Sequence, residues 1–400
     1  MLRDLIERIQ NRTLQMDMSD CSWGEGVALW GFNHSVQCVE NDKYLPFLQQ
    51  WVAHGLSENK FPHTVNTSIP CIGIAELYRQ TGRKDLLEMT TKQADYLLYD
   101  APRLKNGAII HTDPYVVVGQ QMWADTVFMA GLFLAYMGKL TGNTAYVEEA
   151  MKQLDIHVSV LQDEDGLLYH GWDETLGRHL GCKWGRANAW VSVCIVEMMD
   201  YASVNPKLLQ ALKKQLDGIK KYQKDNGMWR TVLDGSMSYL EASCTYGFGY
   251  AILKGVRLGV LEENYLDIVR KMEKTLGENV DADGKAMNVS AGTPIMRTEA
   301  EYNIICEHRI QPWGQGLALL YYTERMENGY DTDLGQGGVL AVLLQQQKPP
   351  VQQVAGLLID ENVVLGLLIV VIWRGVGILL PLVHPAGGDA VAEHLRHIFF

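Results

Sequence analysis

Gly138-Lys139-Leu140-Thr141-Gly142-Asn143 is the stretch that decides the fold, because it joins two helical patterns of opposite character. The pattern before it is apolar on nearly every side, and the pattern after it carries charge on one face. Tyr78-Arg79-Gln80-Thr81-Gly82-Arg83 and Val256-Arg257-Leu258-Gly259-Val260 make similar joins. Each places a glycine where a helix favours a left-handed C-terminal residue. The joins therefore predict a repeated helical hairpin.

Apolar residues at helical spacing predict twelve helices before residue 328. They cover residues 2–16, 24–39, 44–56, 68–80, 84–99, 125–140, 144–161, 187–202, 206–224, 241–258, 263–276 and 315–327. Helices charged on one face belong outside a barrel, and helices apolar all round belong inside. Since six such hairpins can close on themselves, we expect an all-α (α/α)6 barrel. Short β ribbons are expected in the rim loops, over 108–118, 167–169 and 228–233.

The composition excludes several classes of function. The chain has 400 residues with a net charge of -12 and no basic run, which argues against a nucleic-acid partner. Its seven cysteines are scattered and never form a C-x-x-C pair, so they indicate buried thiols in a reducing compartment. Residues 1–16 lack the apolar core and cleavage site of a secretion signal. We expect a cytoplasmic protein, either a monomer or a homodimer.

The character of the chain changes after residue 328. Gly335-Gln336-Gly337-Gly338 and residues 345–350 resemble a linker, and residues 363–383 hold one charged residue, Arg374. That apolar span is long enough for a membrane helix, but its glycines, Pro381 and the central Arg374 argue against one. We therefore expect a barrel domain over 1–328 and an apolar tail of unknown role over 329–400, with a membrane contact of the tail left open.

Gln121-Met122-Trp123-Ala124-Asp125-Thr126-Val127-Phe128-Met129 sets a lone carboxylate at the start of an inner helix. As an N-terminal cap, Asp125 would accept backbone N–H bonds and stay ionised. In an apolar, aromatic pocket its charged form is disfavoured, so its pKa would rise and it could hold a proton near neutral pH. The second alternative makes Asp125 a general acid.

The long connections from outer to inner helices fall at one end of such a barrel, which is typical of a binding site. Tryptophans are frequent there, and their faces can stack on sugar rings. Arg186 at a helix N-terminus gains nothing from the helix dipole, so it suggests a bound carboxylate, with a salt bridge to Asp173 as the alternative. His111 with Asp113, and His170 with Asp173, are too few for a metal site. No motif predicts a cofactor.

Four stretches together carry a family resemblance. They are Trp123-Ala124-Asp125-Thr126-Val127-Phe128-Met129, Tyr169-His170-Gly171-Trp172-Asp173, Trp184-Gly185-Arg186-Ala187-Asn188-Ala189-Trp190 and Trp313-Gly314-Gln315-Gly316. They resemble the signature stretches of the unsaturated glucuronyl and rhamnogalacturonyl hydrolases, glycoside hydrolase family 105 and its relative family 88. The resemblance covers about residues 1–327 and none of the tail, and it too implies an (α/α)6 barrel.

The resemblance also implies an activity. Such enzymes remove the 4,5-unsaturated uronic acid that polysaccharide lyases leave at the non-reducing end, for example from unsaturated galacturonyl-rhamnose of pectin. It makes Asp125 the acid that protonates C4 and then takes a proton from the water adding at C5. We expect Asp125 and His170 to be catalytic. The residues expected to contact the substrate are Trp23, Asn66, Trp123, Trp172, Trp184, Arg186, Trp190 and Trp313.

One departure from the family and two alternatives stay open. Some relatives have an aspartate before the second inner helix where this chain has Asn66, which would position the substrate or cap the helix. Another (α/α)6 sugar enzyme is the first alternative, either an epimerase or an inverting glycosidase using Asp113 or Asp173 about 6.5–9.5 Å from Asp125. The second is a non-catalytic sugar-binding protein.

Overall fold

The computed structural model describes residues 2–329, and helices dominate this part of the chain. The first seven helices are α1 (Leu2–Thr13), α2 (Trp23–Ser35), α3 (Tyr44–Ser57), α4 (Cys71–Thr81), α5 (Lys84–Asp95), α6 (Phe133–Thr141) and α7 (Thr144–Leu161). The others are α8 (Gly185–Met198), α9 (Pro206–Tyr222), α10 (Ala242–Arg257), α11 (Leu266–Glu278), the single turn α12 (Glu299–Tyr302) and α13 (Pro312–Glu327). The twelve predicted helices are confirmed, with α12 as an addition.

The helices form two concentric layers. Helices α2, α4, α6, α8, α10 and α13 follow one another around the inner ring, with α8 packed on the turn Val127–Leu132 that leads into α6, and α13 returns to α2, so the inner ring is closed. Helices α1, α3, α5, α7, α9 and α11 pack outside it. Every residue of α8 is buried, whereas α11 buries only one stripe of apolar side chains. The predicted (α/α)6 barrel is confirmed.

The ring closes through direct backbone contact between α2 and α13. A Cβ atom on Gly31 would lie 2.1 Å from the carbonyl oxygen of Gly316, and one on Gly316 would lie 2.3 Å from that of Val27. These distances are far below van der Waals contact, so no side chain fits at either glycine. The first and last inner helices therefore meet within the described part of the chain.

The predicted joins also form as expected, although some helix ends differ. Gly82, Gly142 and Gly259 have φ angles of 71°, 75° and 73°, the left-handed geometry that glycine adopts without a steric penalty. The helix predicted over 84–99 ends in a π-helical turn, Tyr96–Asp100. The helix predicted over 125–140 contains another near its start, Val127–Leu132, two residues after Asp125.

Two small antiparallel sheets lie in the rim loops. Strand β2 (Gly171–Asp173) pairs with β1 (Gln121–Trp123) on one side and β3 (Arg178–Leu180) on the other, and β4 (Trp229–Arg230) pairs with β5 (Leu240–Glu241). The ribbon predicted over 228–233 contains β4. Those predicted over 108–118 and 167–169 form only isolated β-bridges, Ile109 with Arg103 and Leu168 with Gln162, and the strands β1 and β2 begin after those segments. Strands β1 and β2 pair with each other across about fifty residues of sequence, and local patterns do not encode such a pairing.

The cysteines are less uniform than predicted. All seven are unpaired, but Cys306 is exposed and Cys38 and Cys182 are half-buried. Among the described residues, no helix combines the length and apolar content needed to cross a bilayer. The tail predicted from residue 329 lies outside the described residues apart from Gly329, and the compartment stays a prediction.

Gly31→Ala should destabilise the barrel by about 1–3 kcal/mol, because the added methyl group forces the α2 and α13 backbones apart. Gly277→Ala is the matched control: it lies in α11, and a Cβ there meets no atom within 4 Å. Alanine favours a helix more than glycine, so the control should be neutral or more stable by up to about 1 kcal/mol. Urea unfolding measures both, and equal effects would contradict the close contact.

Truncation after Gly329 should leave a folded, active protein, because the described ring already closes between α2 and α13. We expect the thermal midpoint of the truncated protein to stay within a few degrees of that of the full chain. Aggregation or loss of the cooperative transition would instead show that residues after 329 complete the barrel.

Candidate active site

The outer-to-inner loops surround a cavity at one end of the ring. Its wall consists of Trp23, Asn66, His111, Asp113, Val116, Val118, Trp123, Asp125, Met129, Trp184, Gly292, Thr293 and Pro294. Five of the predicted site residues are therefore in one wall. A wider, more open cleft beside the β4–β5 ribbon, lined in part by Arg230 and Tyr239, contains none of the predicted residues. The chemistry-bearing residues thus point to the narrower cavity.

Asp125 lines this cavity, and the fully buried side chain of His170 lies against it. His170 Nε2 is 3.3 Å from Asp125 Oδ2, and Trp190 Nε1 donates to Asp125 Oδ1 at 3.2 Å. His170 is fully buried, and its Nδ1 is 2.8 Å from the Tyr302 hydroxyl. The β1–β2 sheet creates this arrangement, since Ala124 N donates to His170 O at 2.9 Å just beyond the last strand pair.

The electrostatics of Asp125 differ from the expectation. Burial raises the pKa of its carboxyl group, as predicted, but the contact with His170 and, to a smaller extent, the interaction with nearby His111 lower it further than burial raises it. The net direction is downward, so the predicted rise in pKa is wrong. Sequence alone places Asp125 in an aromatic pocket, but it does not place a histidine against the carboxylate. In the protein without substrate, the carboxyl group of Asp125 is therefore ionised at neutral pH.

His111 forms the adjacent part of the wall. Its ring stacks on Trp123 with centroids 4.4 Å apart and planes 3° from parallel, and its Nδ1 is 3.1 Å from Thr126 Oγ1. Burial lowers the pKa of His111 to about 4, although Asp125 and Asp113 both favour its charged form. His111 is therefore a neutral ring at neutral pH.

Arg186 pairs with Glu241 and not with Asp173, the partner considered from the sequence. Its Nη1 lies 3.4 Å from Glu241 Oε1 and donates to Ser290 Oγ at 2.8 Å. Asp173 instead accepts a hydrogen bond from Gln121 Nε2 at 3.1 Å, so the alternative of an Arg186–Asp173 salt bridge is wrong. Burial lowers the pKa of Arg186, but the group stays charged because the ordinary value is so high.

The other guanidinium nitrogen of Arg186 reaches the cavity wall. Its Nη2 donates to Ala291 O at 2.9 Å and to Thr293 Oγ1 at 3.2 Å. The guanidinium carbon also lies 4.5 Å from the ring centroid of Trp184 and 5.5 Å from that of Trp313. Arg186 thus contacts both tryptophans and the segment around Thr293 that lines the cavity.

The other four predicted tryptophans differ in their position relative to the cavity. The rings of Trp23 and Trp313 pack with centroids 4.5 Å apart at the cavity. Trp190 lies beneath Asp125 and packs on Phe128 at 4.5 Å. Trp172, in β2, is outside the cavity wall and makes an edge contact with His179 at 5.1 Å.

Asn66 and Asp113 form a hydrogen-bonded pair across the wall. Asn66 Nδ2 donates to Asp113 Oδ2 at 2.8 Å, and the backbone amide of Tyr115 donates to Asp113 Oδ1 at 2.8 Å. Helix α4 begins at Cys71, with Pro70 as the residue before it, so Asn66 does not cap that helix. Among the described residues, no group of three or more histidine, cysteine and acidic side chains is placed to hold a metal ion.

Sequence reasoning missed part of the wall. It named His111 and Asp113 but gave them no role in the predicted site, and it did not single out residues 292–294. The run Ser290-Ala291-Gly292-Thr293 was the available signal, since four small residues in a long loop allow a backbone to approach a ligand closely.

His111→Gln should reduce the pH dependence of stability. The pKa of His111 is about 4 when folded and 6.5 ordinarily, so only the unfolded chain binds a proton between these values. Its contribution is therefore fully present above pH 6.5 and is lost as the pH falls toward 4. Urea unfolding should show about 3 kcal/mol less loss over that interval in the variant, at about 1.4 kcal/mol per pKa unit. An unchanged pH dependence would contradict a buried neutral ring.

Known proteins resemble this chain over nearly its whole described length. Residues 3–328 match Glycosyl Hydrolase Family 88. The chain is 34% identical over 328 residues to the unsaturated rhamnogalacturonyl hydrolase YesR of Bacillus subtilis (strain 168), covering 80% of this chain and 93% of that protein.

Solved structures agree with the match. A possible member of the GH105 family from Klebsiella pneumoniae superposes with a TM-score of 0.75 at 30% identity, covering 82% of this chain and 93% of that one. The unsaturated glucuronyl hydrolase of Bacillus sp. GL1 shares the fold, with a TM-score of 0.65 at 16% identity over 84% of this chain and all of its own. The barrel fold, the four signature stretches and the family match agree with one another. The chain belongs to glycosyl hydrolase family 88.

Proposed function

We propose that this protein is a glycosidase that removes the 4,5-unsaturated uronic acid from the non-reducing end of lyase-generated oligosaccharides. The contact of 3.3 Å between Asp125 and His170, in a cavity walled by tryptophans, is the observation that carries the proposal. The resemblance to YesR supports it, since that relative is named as an unsaturated rhamnogalacturonyl hydrolase.

The reaction adds water across the ring double bond. Asp125 gives a proton to C4 of the vinyl ether, which leaves positive charge shared by C5 and the ring oxygen. The Asp125 carboxylate then takes a proton from the water that bonds to C5. The resulting hemiketal opens, the glycosidic bond at C1 breaks, and the neighbouring sugar leaves with a free hydroxyl group. One molecule of water is consumed, and Asp125 returns to its protonated form.

His170 positions the carboxyl group of Asp125. In the free protein the Asp125 carboxyl group is ionised, so it takes up its proton when the substrate binds, with His170 Nε2 3.3 Å from Asp125 Oδ2. A sugar ring over the carboxyl group excludes water and favours its neutral form. Tyr302 and Trp190 fix the pair from its two ends.

The aromatic walls hold the sugar rings. Trp23, Trp123 and Trp184 line the cavity, and the partly exposed rings of Trp23 and Trp123 can stack on the apolar C–H faces of pyranoses. Trp184 is buried between Arg186 and His170, so it supports the wall. Trp190 contributes through its bond to Asp125 and Trp313 through its packing on Trp23. A role for Trp172 in substrate contact stays a prediction, which its position against His179 does not support.

We also propose rhamnose as the sugar next to the uronate, which makes pectin fragments the natural substrates. The resemblance to YesR, an unsaturated rhamnogalacturonyl hydrolase, supports this assignment. Val116 and Val118 support it as well, because an apolar patch in the wall suits the methyl group of a deoxy sugar better than a charged substituent.

Incubation with lyase-generated disaccharides tests the activity. Hydration removes the conjugated double bond, so we expect the ultraviolet absorbance of unsaturated galacturonyl-rhamnose to disappear. An inverting glycosidase would release the sugars and keep the absorbance at first, and a binding protein would leave both intact. Either of these outcomes would refute the proposed reaction.

Asp125→Asn should reduce turnover by about 10²-fold to 10⁴-fold, since an amide cannot deliver the proton. Because asparagine resembles aspartate in size and capping ability, the free energy of unfolding should change by no more than about 1 kcal/mol. Initial rates and urea unfolding of the same preparation separate the two effects. Normal turnover by the folded variant would remove Asp125 from the mechanism.

A further inference from the structure

Asp113 is the second carboxylate in the cavity wall, and its charge is unbalanced. Within residues 2–329, none of the ion pairs involves Asp113, and its oxygens accept only from Asn66 Nδ2 and the amide of Tyr115. The nearby His111 is neutral at neutral pH, so it does not cancel the charge. Both protein donors are dipoles rather than cations, and they hold the carboxylate in one orientation.

A carboxylate held in this way recognises hydroxyl groups. An ionised carboxyl group accepts about four hydrogen bonds and donates none, so two acceptor positions remain beyond Asn66 and Tyr115. A ligand carboxylate would be repelled there, whereas a neutral hydroxyl group can donate to it. Aspartate holds a ribose hydroxyl in the same way in dinucleotide-binding folds.

We propose that Asp113, held by Asn66, accepts hydrogen bonds from the C2 and C3 hydroxyls of the unsaturated uronate ring. This assignment rests on the proposed function and adds the orientation of the ring. In that ring C4 lies between C3 and C5, and C5 carries the carboxylate. With the hydroxyl edge at Asp113, the substrate carboxylate points away from it, and C4 is left to face Asp125.

Binding to the inactive Asp125→Asn protein tests the proposal without any turnover. Adding Asp113→Asn should weaken the binding of unsaturated galacturonyl-rhamnose by about 10-fold to 100-fold in calorimetry, the range for hydrogen bonds to a charged group. Asp173→Asn is the matched control, because Asp173 accepts from Gln121 Nε2 at 3.1 Å and the Leu176 amide at 2.9 Å but lies outside the cavity wall. It should leave the affinity within twofold.

The exchange variant Asn66→Asp/Asp113→Asn distinguishes recognition from structure. It restores an amide–carboxylate pair, with the charge moved to the other side, and should recover most of the lost affinity. Asn66→Asp alone sets two carboxylates together, so its affinity should fall as the pH rises and both ionise. Single Asp113→Asn in otherwise active protein should raise KM and keep the shape of the pH profile of kcat.

Three results would overturn the proposal: unchanged affinity in Asp113→Asn, an equal loss in Asp173→Asn, or loss of one limb of the pH profile in Asp113→Asn. The last would make Asp113 a proton-transfer group. Failure of the proposed function looks different. The Asp125→Asn protein would bind the disaccharide with the same dependence on Asp113, while the wild-type protein left the ultraviolet absorbance intact.

Discussion

The buried ion pair between Arg186 and Glu241 is the interaction on which the cavity depends. A charge removed from water needs a partner, and breaking such a pair typically costs about 3–5 kcal/mol because the remaining charge stays buried. Here the pair connects the start of α8, the start of α10 and the segment from Ser290 to Thr293. Three loops that are far apart in the sequence thereby form one wall, against which Trp184 and Trp313 are fixed.

The barrel was predictable because its determinants are local. The apolar and charged faces of each helix repeat within a few turns, and the left-handed glycines, Gly82 and Gly142, mark the joins. Helix α7 even has its predicted bounds, Thr144–Leu161, because Asn143 caps one end and a tight join precedes it. The strands were not predictable with the same accuracy. Met122 pairs with Trp172, and no local pattern states that register.

The candidate site also has features that local sequence predicts and features that only tertiary contacts determine. Short motifs identified Asp125, His170 and Arg186, and the fold brings the first two into contact. The motifs could not predict the charge of the Asp125 carboxyl group, because its pKa is lowered by His170, 45 positions later in the chain. The partner of Arg186, Glu241, is likewise a matter of tertiary contact. The sequence thus identified the residues of the candidate site. The tertiary contacts determine the charge of the Asp125 carboxyl group and the pairing of Arg186 with Glu241.

The π-helical turn Val127–Leu132 makes the geometry of the candidate site depend on chain length as well as on residue identity. Such a turn holds one residue more than an α-helical turn, and π turns are frequent at functional sites. Removing that residue would restore regular pitch and rotate everything before it by about 100° around the helix axis relative to α6. Asp125 would then leave His170 although every side chain of the cavity was still present. A one-residue gap in this helix between relatives is therefore a marker of altered chemistry, whereas one in an exposed loop is not.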